Sequence, residues 1–357
     1  MGTTRYDAIV IGAGPGGCMA ALTLARRGVR TLVVDKLSKR RWKVCGCCIG
    51  TLGQRTLREH DLDAVLLHAR PLDALTLAAK GGRATVPLNG FVGLSRESLD
   101  ASLADAAMHA GAAFRWNTGA SATPDGALTL SDGETMHAGV VIDASGLRGQ
   151  RVDESRVSPR ARIGLGLTTT AARCAPGELT MAVARAGYLG RVALPDGRVD
   201  FAAAVQPTFV RRSGSPIAAL RAIWRSAGLD ETDVPDGPWR GTPALTRSRR
   251  AQDGRILRVG DAAGYVEPFT GEGMSWALHA ASNIVGDAVA CTKHGPSASN
   301  WARTLHALLA LRHRRCRAVS LAVRSPGLVS MGVRAASIMP ALGAAGASRL
   351  SGARGLA

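Results

Sequence analysis

The stretch that decides the fold is DAIVIGAGPGGCMAALTLARRGVRTLVVD, residues 7–35. It divides into an apolar run at 7–12, a glycine-rich turn at 12–17, an Ala- and Leu-rich helical pattern at 18–28 and a second apolar run at 31–34. The apolar runs are short and rich in β-branched residues, which is typical of buried parallel strands. A strand, a glycine turn, a helix and a second strand in this order predict a β-α-β unit that binds a dinucleotide.

The glycines of the motif Gly12-x-Gly14-x-x-Gly17 each have a mechanical reason. Gly12 permits the tight turn, Gly14 lets the backbone approach a diphosphate, and Gly17 lets helix and strand pack closely. The helix that follows offers unpaired N–H groups and a positive dipole end to the same diphosphate. The cofactor-binding residues predicted from this unit are Gly12, Ala13, Gly14, Pro15, Gly16, Gly17, Asp35 and Lys36. An acid at Asp35 would accept hydrogen bonds from a ribose diol and disfavours a 2′-phosphate, so we expect FAD or NAD rather than NADP.

Three later segments favour FAD over NAD: VVIDASG at 140–146, RILRVGDAAG at 255–264 and PFTGEG at 268–273. The strand that ends in Gly260 and Asp261 places a carboxylate at the edge of the sheet where ligands sit, within reach of a ribityl hydroxyl. Gly271, Gly273 and Met274 lie at the start of a further helix, whose positive end would face a flavin carbonyl. These five residues are predicted to bind the cofactor.

At these residues the chain resembles the flavoprotein monooxygenase and geranylgeranyl reductase superfamily, whose members share the p-hydroxybenzoate-hydroxylase-like fold. The glycine-rich start, DASG at 143–146 and GDAAGYVEPFTGEG at 260–273 match its three fingerprints, and the likeness extends over residues 5–295. The resemblance implies that Pro268 lies beside the isoalloxazine in the catalytic site. It also implies that Arg96, in the segment LSRESLDASL, lies near the cofactor.

A cysteine-rich loop, KVCGCC at 43–48, resembles the K-x-C-G-G segment that borders the flavin in geranylgeranyl reductases. Cys45 and Cys48 are the predicted catalytic residues, and Cys47 is a predicted substrate contact. One hypothesis makes Cys45 a proton donor or substrate contact, and another makes Cys45 and Cys48 a C-x-x-C redox pair. The alternative is that these cysteines only fill a tight apolar loop. No metal is expected, because no second C-x-x-C or His pair accompanies the loop.

From residue 162 to residue 204 the sequence changes to alternating, glycine-punctuated segments, which predict an antiparallel sheet with a hairpin turn at Asp196-Gly197. The segment YLGRVALP at 188–195 is similar to the Y-x-W-x-F-P substrate motif of geranylgeranyl reductases, without its Trp and with Leu in place of Phe. The resemblance implies that Tyr188 and Phe269 contact the substrate.

The predicted fold class is α/β, with a Rossmann-like FAD-binding domain, an antiparallel β substrate domain and a helical C-terminus. The expected bounds are 1–70, 90–160 and 250–295 for the discontinuous FAD-binding domain, 71–89 and 161–249 for the substrate domain, and 296–357 for the C-terminal helices. Single helices are expected at 273–292 and 299–323.

The composition limits the class of protein. Of 357 residues, 46% are hydrophobic and 20% charged, which excludes global disorder. Lys and Arg exceed Asp and Glu by 18, and the resulting positive electrostatic field favours anionic partners. No nucleic-acid-binding signature accompanies the charge, so no nucleic-acid partner is expected. An odd number of cysteines, seven, and the lack of a secretory n-region predict a cytoplasmic protein.

A membrane-docked flavoprotein is a function of a different class. Trp301, Leu305, Leu308 and Leu309 share one helical face, and the basic run at 312–317 follows. Basic amphipathic helices of this kind lie on anionic membrane surfaces, which would place the protein at the inner face of the membrane. The same face would equally pack against the flavin domain.

The sequence therefore predicts an FAD-dependent oxidoreductase that acts on a small molecule. The resemblance implies reduction of carbon–carbon double bonds in a lipophilic or polyketide-like substrate. The alternative is class A aromatic hydroxylation with NAD(P)H and oxygen. No second glycine-rich βα unit is present, so NAD(P)H is expected to visit transiently as electron donor unless a separate reductase supplies the electrons.

Overall fold

A computed structural model describes residues 6–149, 156–267, 269 and 271–338 of the chain. The helices in this part of the chain are α1 (Pro15–Arg26), α2 (Thr51–Arg58), α3 (Asp63–Leu66), α4 (Arg96–His109), α5 (Pro207–Arg212), α6 (Pro216–Ser226), α7 (Gly273–Ser282), α8 (Val285–His294), α9 (Trp301–Val323) and α10 (Pro326–Ile338). The strands are β1 (Ala8–Ile11), β2 (Thr31–Val34), β3 (Cys48–Ile49), β4 (Arg70–Ala79), β5 (Gly82–Gly93), β6 (Ala113–Arg115), β7 (Ala120–Ala122), β8 (Ala127–Leu130), β9 (Thr135–His137), β10 (Val140–Asp143), β11 (Arg156–Val157), β12 (Ile163–Thr169), β13 (Glu178–Ala184), β14 (Gly187–Ala193), β15 (Val199–Val205), β16 (Arg240–Ala244), β17 (Arg247–Ser248), β18 (Gln252–Asp253), β19 (Ile256–Arg258) and β20 (Gly264–Tyr265).

The nucleotide-binding sheet has the strand order β18-β19-β10-β1-β2-β6, and all of its neighbours are parallel except β18 and β19. Alternate residues of β1 point to opposite faces, as the period of a strand requires. Ala8 and Val10 pack into a core that includes α1, α4 and α7, whereas Ile9 and Ile11 pack against the small β7-β8-β9 sheet. Both faces are therefore buried, which explains the continuous apolar runs in the sequence.

The second sheet has the order β16-β12-β15-β14-β13-β4-β5-β3 and is antiparallel except between β4 and β13. Its outer face is covered by α6, where Phe201 and Leu189 pack with Leu220 and Trp224. Its other face carries Asp200 and faces the nucleotide-binding sheet across a cavity. The predicted α/β class, with an antiparallel substrate sheet and C-terminal helices, is confirmed.

One sequence-based expectation was wrong in detail, and one strand was missed. The single helix expected at 273–292 is broken into α7 and α8. The break occurs at Asn283, where the Asn283 and Ser282 side chains both donate hydrogen bonds to the carbonyl of His279, at 2.8 and 2.9 Å. Such side-chain bonds compete with the helical ladder and favour termination. The strand β13 was not anticipated, and it is the strand that joins the β4–β5 hairpin to the rest of the sheet.

The apolar face of α9 packs inside the protein. Trp301 is fully buried, and its indole Nε1 donates to the carbonyl of Arg258 at 2.8 Å. Leu305 and Leu309 are 9% and 7% exposed and belong to the core shared with α1 and α7. This face is therefore not available to a membrane surface, because the core shared with α1 and α7 already covers it. Among the described helices, none has the length and apolar character needed to cross a bilayer.

Candidate functional site

The glycine turn between β1 and α1 is held by close backbone approaches. Gly12 has φ of +103°, and a methyl group there would lie 2.5 Å from the carbonyl oxygen of Ala144. A methyl group on Gly17 would lie 1.8 Å from the carbonyl oxygen of Gly12. Neither position tolerates a side chain, since β1, α1 and the turn after β10 meet here. The proposed roles of these two glycines in turn formation and close packing agree with this geometry.

Gly14 faces two cationic side chains rather than backbone. A methyl group on Gly14 would lie 3.5 Å from Arg96 Nη2 and 3.7 Å from Lys43 Nζ. Arg96, at the start of α4, also forms two hydrogen bonds of 2.9 Å with Asp100. Burial and the charge of Arg96 lower the pKa of Lys43 to about 8. The positive charge that accumulates around the N-terminus of α1 matches a diphosphate. Lys43 was not predicted as a cofactor residue.

Asp35, at the end of β2, ties the glycine turn in place. Its Oδ2 accepts hydrogen bonds from the Ala13 N–H at 2.6 Å and from Arg41 at 2.7 Å, and its Oδ1 accepts from the Leu37 N–H at 2.8 Å. Arg41 and Asp35 are 7% and 6% exposed, so this is a buried ion pair. The pair fixes the carboxylate beside the cavity, where the predicted contact with a ribose diol remains a prediction.

The segment after β19 forms another wall of the cavity. Gly260 has φ of +58° and begins a short 3-10 turn that includes Asp261. Burial raises the pKa of the Asp261 carboxyl to about 6, and the charge of Arg96 opposes this shift. Gly271 has φ of +72°, and a methyl group there would lie 3.3 Å from Cys48 Cβ. This close approach brings the loop before α7 against the cysteine loop. Pro268 lies outside the described residues.

The cysteine loop places one sulfur among hydrogen-bond donors. Cys47 has φ of +51°, unusual for a residue with a side chain, and both its backbone N–H and its thiol interact with the Cys45 sulfur. Together with Arg96, these donors lower the pKa of the Cys45 thiol to about 6 against the effect of burial. Cys48 instead donates to the carbonyl of Gly46 at 3.0 Å, and burial raises its pKa. Both Cys45 and Cys48 are free thiols in this structure.

The cavity continues from the cysteine loop to the inner face of the second sheet and has a volume of about 810 Å³. Apolar side chains line this part: Leu75, Leu88, Phe91, Leu179, Met181 and Val192. Tyr188 also lines it and packs edge-on against Phe269, with ring centres 5.0 Å apart. Beneath them lies a buried ion pair of 2.9 Å between Arg162 and Glu267, with the Arg162 guanidinium over the Tyr188 ring.

The structure brings most of the predicted site residues to one cavity. Those that line it are Gly12, Gly14, Pro15, Gly16, Asp35, Lys36, Cys45, Cys47, Cys48, Arg96, Tyr188, Gly260, Asp261, Phe269, Gly271, Gly273 and Met274. Ala13 and Gly17 lie behind the wall, where they shape the turn. Within the described ranges, no group of His, Cys, Asp and Glu side chains is arranged to hold a metal ion.

Asp200 was missed by the sequence analysis although it lines the same cavity. It is 1% exposed, and burial raises its pKa to about 8. The segment VDFAAAV that contains it was interpreted only as a strand. A carboxylate among apolar residues of a strand was the available signal, because such a residue is rarely buried without a partner or a function.

The residues present fit FAD. Beside the start of α1, Gly14 lies against the cations Arg96 and Lys43, which carry the positive charge that a diphosphate needs. Asp35 and Asp261 line the same cavity. The same cavity is lined by the cysteine loop and by apolar side chains of the second sheet.

Comparisons with known proteins agree with this assignment. Residues 5–157 match the family of FAD binding domains. Geranylgeranyl diphosphate reductase of Rhodobacter capsulatus is 29% identical over 305 residues, which cover 80% of this chain and 75% of the relative. A geranylgeranyl bacteriochlorophyll reductase-like protein of Thermoplasma acidophilum has a similar structure, with a TM-score of 0.75, 19% identity and coverage of 92% and 91%. The tetrameric form of 2-methyl-3-hydroxypyridine-5-carboxylic acid oxygenase also shares the fold, with a TM-score of 0.68, 19% identity and coverage of 89% and 90%.

Proposed function

We propose that this chain, an FAD-dependent oxidoreductase, belongs to the geranylgeranyl reductase and p-hydroxybenzoate hydroxylase-like superfamily and reduces carbon–carbon double bonds of a lipophilic or polyketide-like small molecule. The observation that carries this proposal is the position of Cys45, between the cations of the cofactor site and the apolar chamber. Reduction of an alkene needs a hydride, which carries both electrons, and a separate proton. Cys45 is a proton-carrying group in the lining of the cavity that also contains the cofactor cations and the apolar side chains.

FAD, when bound, would accept two electrons from a nicotinamide donor and pass them to the substrate. The protein binds the apolar substrate against Leu75, Leu179 and Met181, and excludes water from this chamber. The cysteine loop supplies the proton for the second carbon. We further propose that NAD(P)H visits without a nucleotide-binding domain of its own, since the sequence has no second glycine-rich βα unit.

The proposal is tested under anaerobic conditions with chemically reduced holoenzyme and polyprenyl or polyene substrates of graded length. We expect the flavin to be reoxidised by an alkene in the absence of oxygen, with a product that has gained two hydrogens. Cys45→Ser should slow this reaction by about 10²-fold or more, as loss of a general acid does. Cys174→Ser is the matched control, because Cys174 is a free thiol in the loop between β12 and β13 and does not line the cavity.

Aromatic hydroxylation remains the competing function because oxygenases share this fold. It predicts the opposite pattern: reoxidation that requires oxygen, and a product that has gained an oxygen atom. If no alkene reoxidises the flavin, and an aromatic compound is hydroxylated with NAD(P)H and oxygen, the reductase proposal is wrong.

A further inference from the structure

One side of α10 is both exposed and apolar. Leu328 and Met331 are 58% and 68% exposed, and Gly332 and Ala335 are exposed at the next helical positions. Residues at this spacing lie on one side of a helix, so these four residues form a single stripe, which we call the outer stripe of α10. Adjacent large apolar side chains on a surface are typical of a site that contacts another apolar phase or a partner.

The exposed side of α9 combines apolar and basic residues. Leu311 and Leu321 are 58% and 66% exposed. Arg314 and Arg315 are exposed between them, at the helical spacing that places all four residues on one side. This outer stripe of α9 is a different face from the one that contains Trp301, which is buried in the core.

The positive charge of this part of the chain has no acidic counterpart in the sequence. After Asp287 the chain contains ten Lys and Arg residues and no Asp or Glu. Within the part of the chain that the structure describes, Arg314, Arg315 and Arg317 are exposed and form no ion pair. Charge of one sign beside exposed apolar side chains therefore requires a partner that is anionic and apolar at the same time.

Of the available occupants, an anionic lipid surface fits both properties. A second copy of this chain, docked by the same face, would place basic residues against basic residues. Residues 339–357 add Arg349 and Arg354 and no acid, so their charge does not complement the face either. Nucleic acid would use the arginines but not the apolar stripe. Lipid phosphates attract the arginines, and the boundary of the acyl chains accepts Leu and Met side chains.

We propose that the outer stripes of α9 and α10 dock the protein on the surface of an anionic phospholipid bilayer. Leu321, Leu328 and Met331 enter the boundary between the headgroups and the acyl chains. Arg314 and Arg315 contact the phosphates of the headgroups. The protein lies on the membrane by these helices.

The inner sides of the same helices adjoin the apolar part of the cavity. Val323 of α9 and Val329 of α10 belong to one apolar cluster with Leu75, Leu179 and Phe269. The last three residues line the cavity. The two helices therefore lie between the substrate chamber and the docked surface, which would place the chamber next to a source of lipophilic molecules. This use of docking rests on the function proposed above, but docking itself does not.

Docking is measured by co-sedimentation of the purified holoenzyme with vesicles at low ionic strength. We expect binding to vesicles of phosphatidylglycerol and phosphatidylcholine, weaker binding as salt is added, and little binding to phosphatidylcholine alone. Arg314→Gln with Arg315→Gln should lower the partition coefficient by about five-fold for each charge, or roughly 25-fold together. Arg211→Gln with Arg212→Gln, at exposed residues of α5, is the matched control and should retain binding.

The apolar contribution is measured in the same assay. Leu328→Gln with Met331→Gln should lower the partition coefficient by about ten-fold or more, because the apolar area that leaves water is lost. Leu67→Gln, at a residue that is 80% exposed beyond the end of α3, is the control. All of these side chains are exposed, so the variants should fold as the wild type does. Equal binding by the Leu328 and Met331 variant and the wild type would show adhesion by charge alone and would overturn the proposal.

The depth of the face is measured with vesicles that contain brominated lipids. Met331→Trp should show fluorescence quenching beyond that of the wild type, whereas Leu67→Trp should not. No sedimentation of the wild type with anionic vesicles would refute docking. So would a dimer in sedimentation velocity that the Leu328 and Met331 substitutions dissociate, because a second copy would then cover the stripe. If the wild type binds vesicles and reduces no alkene, the proposed function fails and docking stands.

Discussion

The close packing of α1 on β1 provides a sharp test, because two adjacent glycines of the same helix have opposite surroundings. A methyl group on Gly17 would lie 1.8 Å from the Gly12 carbonyl oxygen, a rigid backbone atom. A methyl group on Gly16 would lie 3.5 Å from the carbonyl oxygen of Ala277 and 3.6 Å from Val259 Cγ2, which are ordinary contacts. Gly17→Ala should therefore move the helix, and Gly16→Ala should not.

The expected changes in unfolding free energy follow from two opposing effects. Replacing Gly by Ala inside a helix stabilises it by about 1 kcal/mol. Overpacking a core costs about 1–3 kcal/mol, and more where the clash is with backbone. A separation of 1.8 Å from a backbone oxygen places the cost of Gly17→Ala at or above the upper end of that range. We expect Gly17→Ala to lose about 2 kcal/mol or more of unfolding free energy, and Gly16→Ala to stay within about 1 kcal/mol of wild type.

Urea unfolding of both variants, together with the flavin-to-protein ratio after gel filtration, checks this prediction. Gly17→Ala should bind little FAD, because the turn that would hold the diphosphate moves with the helix. Equal stability and equal flavin content in the two variants would refute the packing argument.

Three further outcomes are expected. Glu267→Gln should cost about 3–5 kcal/mol of unfolding free energy because it leaves Arg162 buried without its partner, and Arg162→Met with Glu267→Leu should recover most of that loss in urea melts. The raised pKa of Asp200 makes the folded state lose stability as pH rises from about 4 to about 8. The unfolding free energy of Asp200→Asn should therefore gain on the order of a few kcal/mol relative to wild type across that window. Curves of unfolding free energy against pH that run parallel for the two proteins would contradict this. Alkylation of Cys45 should reach half of its maximal rate near pH 6 and should persist in Cys48→Ser, whose native thiol has a raised pKa; a midpoint above pH 8 would contradict the assignment.

The helix α9 shows what a hydrophobic pattern can and cannot predict. The sequence shows an apolar stripe that contains Trp301 and Leu305 and a basic run after it, and the stripe fits a membrane surface as well as a protein core. Only the position of α1 and α7 decides between them, and both side chains are buried in the shared core.

The sequence by itself determined the nucleotide-binding unit, because its rules act over neighbouring residues. Gly12 is favoured by its positive φ and Gly17 by its close approach to the Gly12 carbonyl, both within one turn. The apolar runs of β1 and β2 follow from a sheet buried on both faces. The cysteine loop could also be located, since its spacing and its basic neighbours lie within six residues.

Only the tertiary structure decided which distant side chains share the site. Lys43 and Arg96 meet beside Gly14, and Asp200 lines the same cavity as Cys47 from a strand more than 150 residues further along the chain. Their charge states depend on burial and on charged groups of other helices and strands. The local periodicity of the sequence predicts neither of these. In the sequence Asp200 is therefore one more residue of a strand, and only the fold shows that its carboxyl is buried in the wall of the cavity.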